Sequence, residues 1–235
     1  MEKNTALSEN KAPVEKDAGK SHLSRRNFLR YAGATSSVLV FAACDKDDDN
    51  NGNGSGVNLG SGDVGILNYA YALEQLEAAF YIKVASSFYS GISADEQALL
   101  TDIRDHEVAH REFFKAALQG NAIQALEVDF SSIDFSSRDS VLGTAKAFED
   151  LGVSAYNGAG PLITTPDYLV LAGKIVSVEA RHAALIRDRI ANGTFIGNDV
   201  INPDNAVEYS RTPAEVLSIA SKYLKTKINA TNLPS

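Results

Sequence analysis

Hydrophobic residues recur at helical spacing through most of the chain after residue 63. Over residues 64–89 the apolar positions fall on one stripe, which predicts an amphipathic helix. Ser93 is a suitable N-cap for a second helix, with Glu96 at the capping-box position. That helix should continue to about Leu118, where the segment Gln-Gly-Asn ends it. The first part of the chain therefore predicts two consecutive long helices.

Two further long helices are predicted after a long connection. Residues 120–137 alternate like a short strand, but nothing nearby pairs with them, so we interpret them as a connection. Eighteen extended residues reach about 59 Å, more than the ~30 Å of a twenty-residue helix. The connection can therefore run the full length of a bundle. The next helices are predicted at about 138–158 and from about 166 to 192.

A short fifth helix is predicted at about 213–225, after a loop at 193–211. Thr212 fits the N-cap, Pro213 the first turn and Glu215 the capping-box position. Four long helices with one long crossover are typical of ferritin-like bundles. The predicted fold is therefore all-α: a ferritin-like four-helix bundle over residues 63–192, with a long crossover between helices 2 and 3. A loop and a short C-terminal fifth helix complete it over 193–235.

The first 43 residues have the pattern of an export signal rather than of a folded domain. Arg25 and Arg26 lie in a segment that resembles a twin-arginine signal, and the apolar run after them is too short for a permanent membrane helix. Cys44 follows Phe-Ala-Ala, which resembles a lipobox, so we expect its lipidation; a plain cleavage site or a buried cysteine are the alternatives. Residues 44–62, rich in Asp, Asn and Gly, are predicted to form a flexible tether.

Composition narrows the possible partners. The chain has 235 residues, of which 44% are hydrophobic, enough for one medium-sized domain with a real core. A net charge of −8 argues against nucleic acid as a partner, because phosphates repel an acidic surface. The single cysteine lies at the end of the export signal, so the stability of the domain must come from its core rather than from disulfides.

The two halves of the predicted bundle repeat one pattern of polar residues. In each half a Glu precedes a Tyr by seven residues on one helix, and a Glu precedes a His by three on the next. One Glu-x-x-His pair alone is usually a solvated helix face, but the ordered repetition of all four elements argues against chance. In chain order the repeated residues are Glu74, Tyr81, Glu107, His110, Glu149, Tyr156, Glu179 and His182.

The spacing of these residues is suited to metal binding. Residues three apart share a helix face, with Cβ atoms about 5–6 Å apart, so one Glu-x-x-His pair can bind one ion. Each pair lies on an apolar stripe, where inward carboxylates are costly unless they bind a cation. Four carboxylates and two imidazoles that face each other suit two iron or manganese ions. The predicted ligands are Glu74, Glu107, His110, Glu149, Glu179 and His182.

Two other acidic residues compete for ligand positions. Glu77 also has apolar neighbours, but its repeat counterpart is Gly152 and no Tyr follows it by seven residues, so Glu74 is preferred. Asp150 is set aside in favour of Glu149 by the same comparison of the two halves.

Three more side chains were assigned by their position relative to the stripe. His106 should point off the stripe and lie at the surface. Tyr81 and Tyr156 are predicted to donate hydrogen bonds to ligand carboxylates across the bundle, with participation in redox chemistry as the alternative.

Four segments carry a resemblance to a known family. They read LEQLEAAFY, DHEVAHREFF, FEDLGVSAYNGAGPLI and VEARHAALI. Over residues 64 to about 192 the chain resembles the ferritin-like di-iron carboxylate superfamily, and most of all its exported, desiccation-related branch. The resemblance implies that Glu107 and Glu179 bridge two metal ions, while Glu74 and Glu149 are terminal ligands.

The expected function follows from this site. We expect an exported, lipid-anchored protein of the cell envelope, periplasmic or at the cell surface, that carries two iron ions or, alternatively, manganese. Its chemistry on oxygen, peroxide or Fe(II) would be that of a ferroxidase, peroxidase or catalase in stress protection. The alternative is a non-enzymatic envelope protein whose metals only staple the bundle.

The expected partners are few. They are metal ions and small oxidants, the twin-arginine export machinery, and a membrane contacted through the lipid anchor only. A monomer or dimer is favoured over a closed iron-storage cage, which a lipid tether would fit poorly.

Overall fold

The computed structural model describes residues 56–235, so Arg25, Arg26 and Cys44 lie outside the described residues. This part is mostly helical, and the predicted all-α bundle with its long crossover is confirmed. No helix within it is both long enough and apolar enough to cross a membrane. The helices are α1 (Gly62–Ser86), α2 (Ala94–Leu118), α3 (Arg138–Ala159), α4 (Pro166–Ile190) and the short α5 (Pro213–Ala220).

The long helices associate as two hairpins, α1 with α2 and α3 with α4, and α1 joins the hairpins by packing on α3. Aromatic side chains fill the core next to this joint. Phe80 of α1 meets Phe148 of α3 edge-to-face at 5.2 Å between ring centroids. Phe148 in turn meets Tyr223, in the 3-10 turn after α5, at 4.7 Å. Edge-to-face pairs add to the stabilisation from burial, so this cluster fixes the C-terminal segment against both hairpins.

The helix starts follow the predicted capping residues, with one difference. Thr212 and Glu215 form the complete capping box of α5. At α2 the Ser93 side chain accepts from the Glu96 backbone N–H at 3.1 Å, as expected. The Glu96 carboxylate does not return to the N-cap, because it accepts instead from Arg138 at 3.0 Å and from the Tyr89 hydroxyl. A salt bridge between helices therefore replaces half of the box.

The crossover is paired, which corrects the prediction that residues 120–137 lack a partner. Val128 forms an antiparallel bridge with Leu224, and the Asp129 N–H donates to the Tyr223 carbonyl at 2.7 Å. The partner lies almost a hundred residues further along the chain, so no local pattern could reveal it.

Two buried amides of α1 also hold the crossover. The Asn68 side chain donates to the Asn121 carbonyl at 2.9 Å and accepts from the Ile123 N–H at 3.0 Å. The Gln75 side chain accepts from the Leu126 N–H at 2.8 Å. The same helix that supplies Glu74 to the centre of the bundle thus anchors the connection between the two halves.

The start of the described chain is more ordered than a flexible tether. Strand β1 (Val57–Asn58), which falls inside the predicted tether 44–62, pairs in parallel with β2 (Ile228–Asn229). Leu59 is fully buried. The flexibility predicted for the tether therefore does not extend to residues 57–59. The fifth helix is also shorter than predicted, because residues 221–223 continue it as a 3-10 turn.

Candidate metal centre

The structure brings all six predicted ligand residues together in the middle of the bundle. Each long helix contributes: α1 and α3 supply one Glu each, and α2 and α4 supply one Glu-x-x-His pair each. All four glutamates have 0% of their surface exposed. Their positions are Glu74 on α1, Glu107 and His110 on α2, Glu149 on α3, and Glu179 and His182 on α4.

The six residues form two overlapping groups. Within each group, one ligand atom from every member lies within 4.8 Å of the others. Glu107 and Glu179 belong to both groups, whereas each remaining residue belongs to one. The first group is Glu74, Glu107, His110 and Glu179, and the second is Glu107, Glu149, Glu179 and His182.

Each imidazole faces a carboxylate of the other hairpin. The Nδ1 of His110 lies 2.9 Å from Glu179 Oε1 and 3.4 Å from Glu74 Oε2. The Nδ1 of His182 lies 2.8 Å from Glu107 Oε1. The pattern is reciprocal, because α2 and α4 exchange equivalent contacts, as the sequence repeat requires.

These close approaches do not have hydrogen-bond geometry. Although the distances are short, the atoms involved have no aligned hydrogen-bond partner, and a buried polar atom without one is uncommon. Nitrogen and oxygen atoms that converge in this way fit a transition-metal ion held between them. The unpaired atoms are Glu74 Oε2, both oxygens of Glu107 and of Glu179, Glu149 Oε2, and the Nδ1 atoms of His110 and His182.

Two tyrosines fix the remaining carboxylate oxygens from across the bundle. Tyr81 on α1 donates to Glu149 Oε1 on α3 at 2.5 Å. Tyr156 on α3 donates to Glu74 Oε1 on α1. Each hydroxyl binds one oxygen of its Glu and leaves the other, Oε2, directed at the centre. The tyrosines therefore lie where they can orient the carboxylates.

Several carboxylates and imidazoles of the centre hold protons more tightly than they would in water. Burial raises the pKa of Glu74 to about 7 and holds the pKa of Glu179 well above its usual range. Burial opposes the charge of Glu107 as well, yet the two close imidazoles bring its pKa down to about 2. The pKa of His182 is about 10, because nearby carboxylates outweigh the effect of burial. Any metal that binds here must displace protons.

One known protein family includes the part of the chain that contains this centre. A family model described as "Ferritin-like domain" matches residues 62–192. The chain belongs to the ferritin-like domain family. The matched range contains all four long helices and both groups of the centre. Among curated proteins, a search found no match to the chain.

His106 corrects one expectation about this ferritin-like domain. It is exposed, as predicted, but it does not point away from the centre: its Nδ1 lies 2.9 Å from His182 Nε2, and the two rings stack at 5.1 Å. Because His182 directs Nδ1 at the carboxylates, its Nε2–H is free to donate to His106. The missed signal was the spacing of His106 and His110, which are one helical turn apart and share a face.

The two rival acidic residues have different surroundings. Glu77 is buried, with 4% of its surface exposed, but belongs to neither group. Asp150 accepts two hydrogen bonds from Arg187, both of 2.8 Å, and a third from Lys146 at 3.0 Å. Asp150 is thus committed to an ion-pair network beside the centre.

A surface pocket of about 360 Å³ reaches the outer side of Tyr156. No charged side chain lines it, so Tyr156, which orients Glu74, borders a pocket without charged groups. The lining residues are Tyr156, Asn157, Gly160, Pro161, Leu169, Ala172, Gly173 and Val176.

Proposed function

We propose that this ferritin-like protein binds two iron ions, or two manganese ions, at its six converging residues and uses them for redox chemistry on oxygen, peroxide or Fe(II). The observation that carries the proposal is the set of buried, unpaired ligand atoms contributed by all six residues. A buried carboxylate without a partner is costly, and four of them together need cations. Bound ions of either metal would exchange electrons with a small oxidant.

The protein residues have distinct parts in this proposal. Glu107 and Glu179, which belong to both groups, would bridge the ions, while Glu74 and Glu149 would each bind one. Tyr81 and Tyr156 hold the terminal carboxylates so that Oε2 faces inward. Preorganisation of this kind favours metal binding, because the ligands lose little conformational freedom when the ion arrives.

The surroundings favour small reactants. The His110 side chain is 14% exposed, whereas the Glu side chains are closed off, so the histidine side is nearer to solvent. The pocket beside Tyr156 has no charged lining residue that could recognise an ionic organic substrate. Both features support oxygen or peroxide rather than a large substrate.

Export to the cell envelope is the second part of the proposal. It is supported by the twin-arginine pattern at Arg25 and Arg26 and the lipobox-like position of Cys44. A lipid-anchored domain that consumes oxidants at the envelope would serve in stress protection, in keeping with the resemblance to desiccation-related proteins. Transport in a folded state would let the cytoplasm determine which metal is loaded.

Reaction assays on defined metal forms test the redox function. The metal-free chain is loaded with iron or with manganese, and oxygen consumption and peroxide decay are followed. The Glu107→Ala variant should lose the activity because it removes a residue shared by both groups. Glu112→Gln is the matched control, since Glu112 is an exposed carboxylate on the same helix. If two ions bind but react with neither oxygen nor peroxide, the redox function is wrong and the metals only stabilise the bundle.

A further inference from the structure

Glu77 adds a fifth buried carboxylate to the four glutamates among the six converging residues. It lies one helical turn after Glu74 on α1, and 4% of its surface is exposed. Its four strongest charge interactions are with other carboxylates of the centre, first of all Glu179. A carboxylate placed among carboxylates either takes up a proton or needs a cation that compensates its charge. Its position therefore needs a reason other than packing.

Gly152 makes the room that Glu77 occupies. In the sequence repeat, Gly152 on α3 is the counterpart of Glu77 on α1. A Cβ atom at position 152 would lie 3.1 Å from Glu77 Oε1 and 3.5 Å from Glu179 Oε2. A glycine inside a helix costs about 1 kcal/mol relative to alanine, and here its lack of a side chain admits the Glu77 carboxylate beside Glu179.

Glu77 and Gly152 break the two-fold symmetry of the centre, because they are repeat counterparts of different chemistry. The six predicted ligands and the two tyrosines occur once in each half as matched pairs, but here one half has a carboxylate and the other has a glycine. The Glu77 carboxylate lies against Gly152 on α3, one helical turn after Glu149. The extra carboxylate thus belongs with the second group rather than the first.

We propose that Glu77 is a seventh protein ligand of the centre, which binds the ion of the second group and makes the two metal positions unequal. The inference rests on the proposed function, because it requires metal at the centre. Glu77 belongs to neither group as the side chains stand, so the proposal requires its side chain to rotate toward the centre when the ion binds.

Stepwise binding of Mn²⁺ to the metal-free full chain tests the proposal. Calorimetry with electron paramagnetic resonance of free Mn²⁺ resolves the affinity of each step. In Glu77→Gln we expect one step to weaken by about tenfold or more, while the other changes little. Loss of a ligand acts on one ion, whereas loss of a distant charge acts on two neighbouring ions alike.

A pair of glycine variants isolates the position of the carboxylate from its charge. Gly152→Ala keeps all five carboxylates, but its Cβ atom displaces the Glu77 oxygen by a few tenths of an ångström. We expect it to weaken the same step by less than Glu77→Gln does. Gly143→Ala is the matched control on the same helix, because a Cβ there meets nothing within 4 Å. It should leave both steps unchanged.

The possible outcomes distinguish the ligand role of Glu77 from the proposed metal binding on which it rests. Equal weakening of both steps in Glu77→Gln, or no weakening, overturns the role of Glu77 as a ligand. If that variant does not fold, Gly152→Ala decides by the same criterion. A wild-type chain that binds no Mn²⁺ or Fe²⁺ refutes the proposed metal centre instead.

Discussion

Each terminal glutamate of the centre is controlled by a tyrosine from the neighbouring helix. Glu74 receives the Tyr156 hydroxyl, and Glu149 receives the Tyr81 hydroxyl. These hydrogen bonds leave one oxygen of each carboxylate for the centre. The tyrosines thus act on the proposed metal ligands rather than only filling the core.

The Tyr156→Phe substitution measures this contribution. It leaves Glu74 Oε1 buried without a donor, so the domain should lose about 1.5–3 kcal/mol of stability and bind metal more weakly. Tyr69→Phe is the control, because the buried Tyr69 hydroxyl has no hydrogen-bond partner, and it should be close to neutral. Urea unfolding of both variants provides the comparison, and equal losses would contradict the assigned role.

His106 gives a second prediction at this scale. Its Nδ1 lies 2.9 Å from His182 Nε2; when His182 Nδ1 binds metal, Nε2 carries the proton, and His106 then accepts from it and should hold the ring with Nδ1 toward the centre. His106→Phe should therefore weaken metal binding by about tenfold or more, while His106→Asn, which keeps an acceptor, should restore part of it. Metal titration measures both. Unchanged affinity in His106→Phe would show that the contact orients nothing.

The sequence repeat was sufficient to select the six converging residues, because a metal site on a two-fold bundle repeats its ligand types at fixed spacing. It could not reveal His106 or Glu77, which have no counterpart in the other half. Their roles depend on which side chain lies opposite: His182 for one and Gly152 for the other. The spacing of His106 and His110 places both on one helix face, but only the packing of the helices shows which side chains lie opposite.

At the scale of elements, an ion-pair network ties the loop after α4 to the bundle. Arg187 on α4, with 4% of its surface exposed, donates to Asp150 on α3 and to Asp199 in the loop. The network lies beside Glu149 and closes that end of the second hairpin. Sequence patterns predicted the segment 193–211 only as loop, because an ion pair between distant elements leaves no local periodicity.

The two halves of this network should differ in strength. Arg187→Met leaves the largely buried Asp150 without its main partner and should cost about 3 kcal/mol of stability. Asp199→Asn, at a side chain that is 58% exposed, should cost under about 1 kcal/mol. Chemical unfolding of the two variants measures these losses. A larger loss for Asp199→Asn would contradict the assignment of Arg187–Asp150 as the main contact.

The helices themselves could be predicted from sequence to within a few residues, since their stripes and caps are local features. The contacts of the crossover and of strand β1 could not be predicted from the sequence. Val128 pairs with Leu224, and Val57 pairs with Ile228. Both contacts join segments that are far apart in the chain, and so the strand-like alternation near residue 128 had no visible partner.

For the whole molecule, the raised pKa values predict how stability depends on pH without metal. The pKa of Glu74 rises from 4.5 to about 7 on folding, so its contribution is complete below pH 4.5 and is lost as pH approaches 7. The pKa of His182 rises from 6.5 to about 10, and its contribution also falls as pH rises above 6.5. The metal-free protein should therefore lose stability, on the order of 5 kcal/mol, between pH 5 and 8.

Bound metal should reverse this trend. The ions replace the protons of the centre and compensate its carboxylates, so the stabilisation by metal should grow as pH rises. Melting temperatures of chelator-treated and metal-loaded protein between pH 5 and 8 measure both effects. A metal-free protein that becomes more stable over this range would contradict the assigned protonation of the centre.

Elemental analysis of the natively produced protein tests the central claim most directly. Six converging ligands with two shared glutamates predict about two iron or manganese ions per chain, and fewer in Glu107→Ala. Protein purified without added metal and with its helical fold intact provides the measurement. A ratio near two supports the dinuclear centre. Folded protein that carries no transition metal would contradict it.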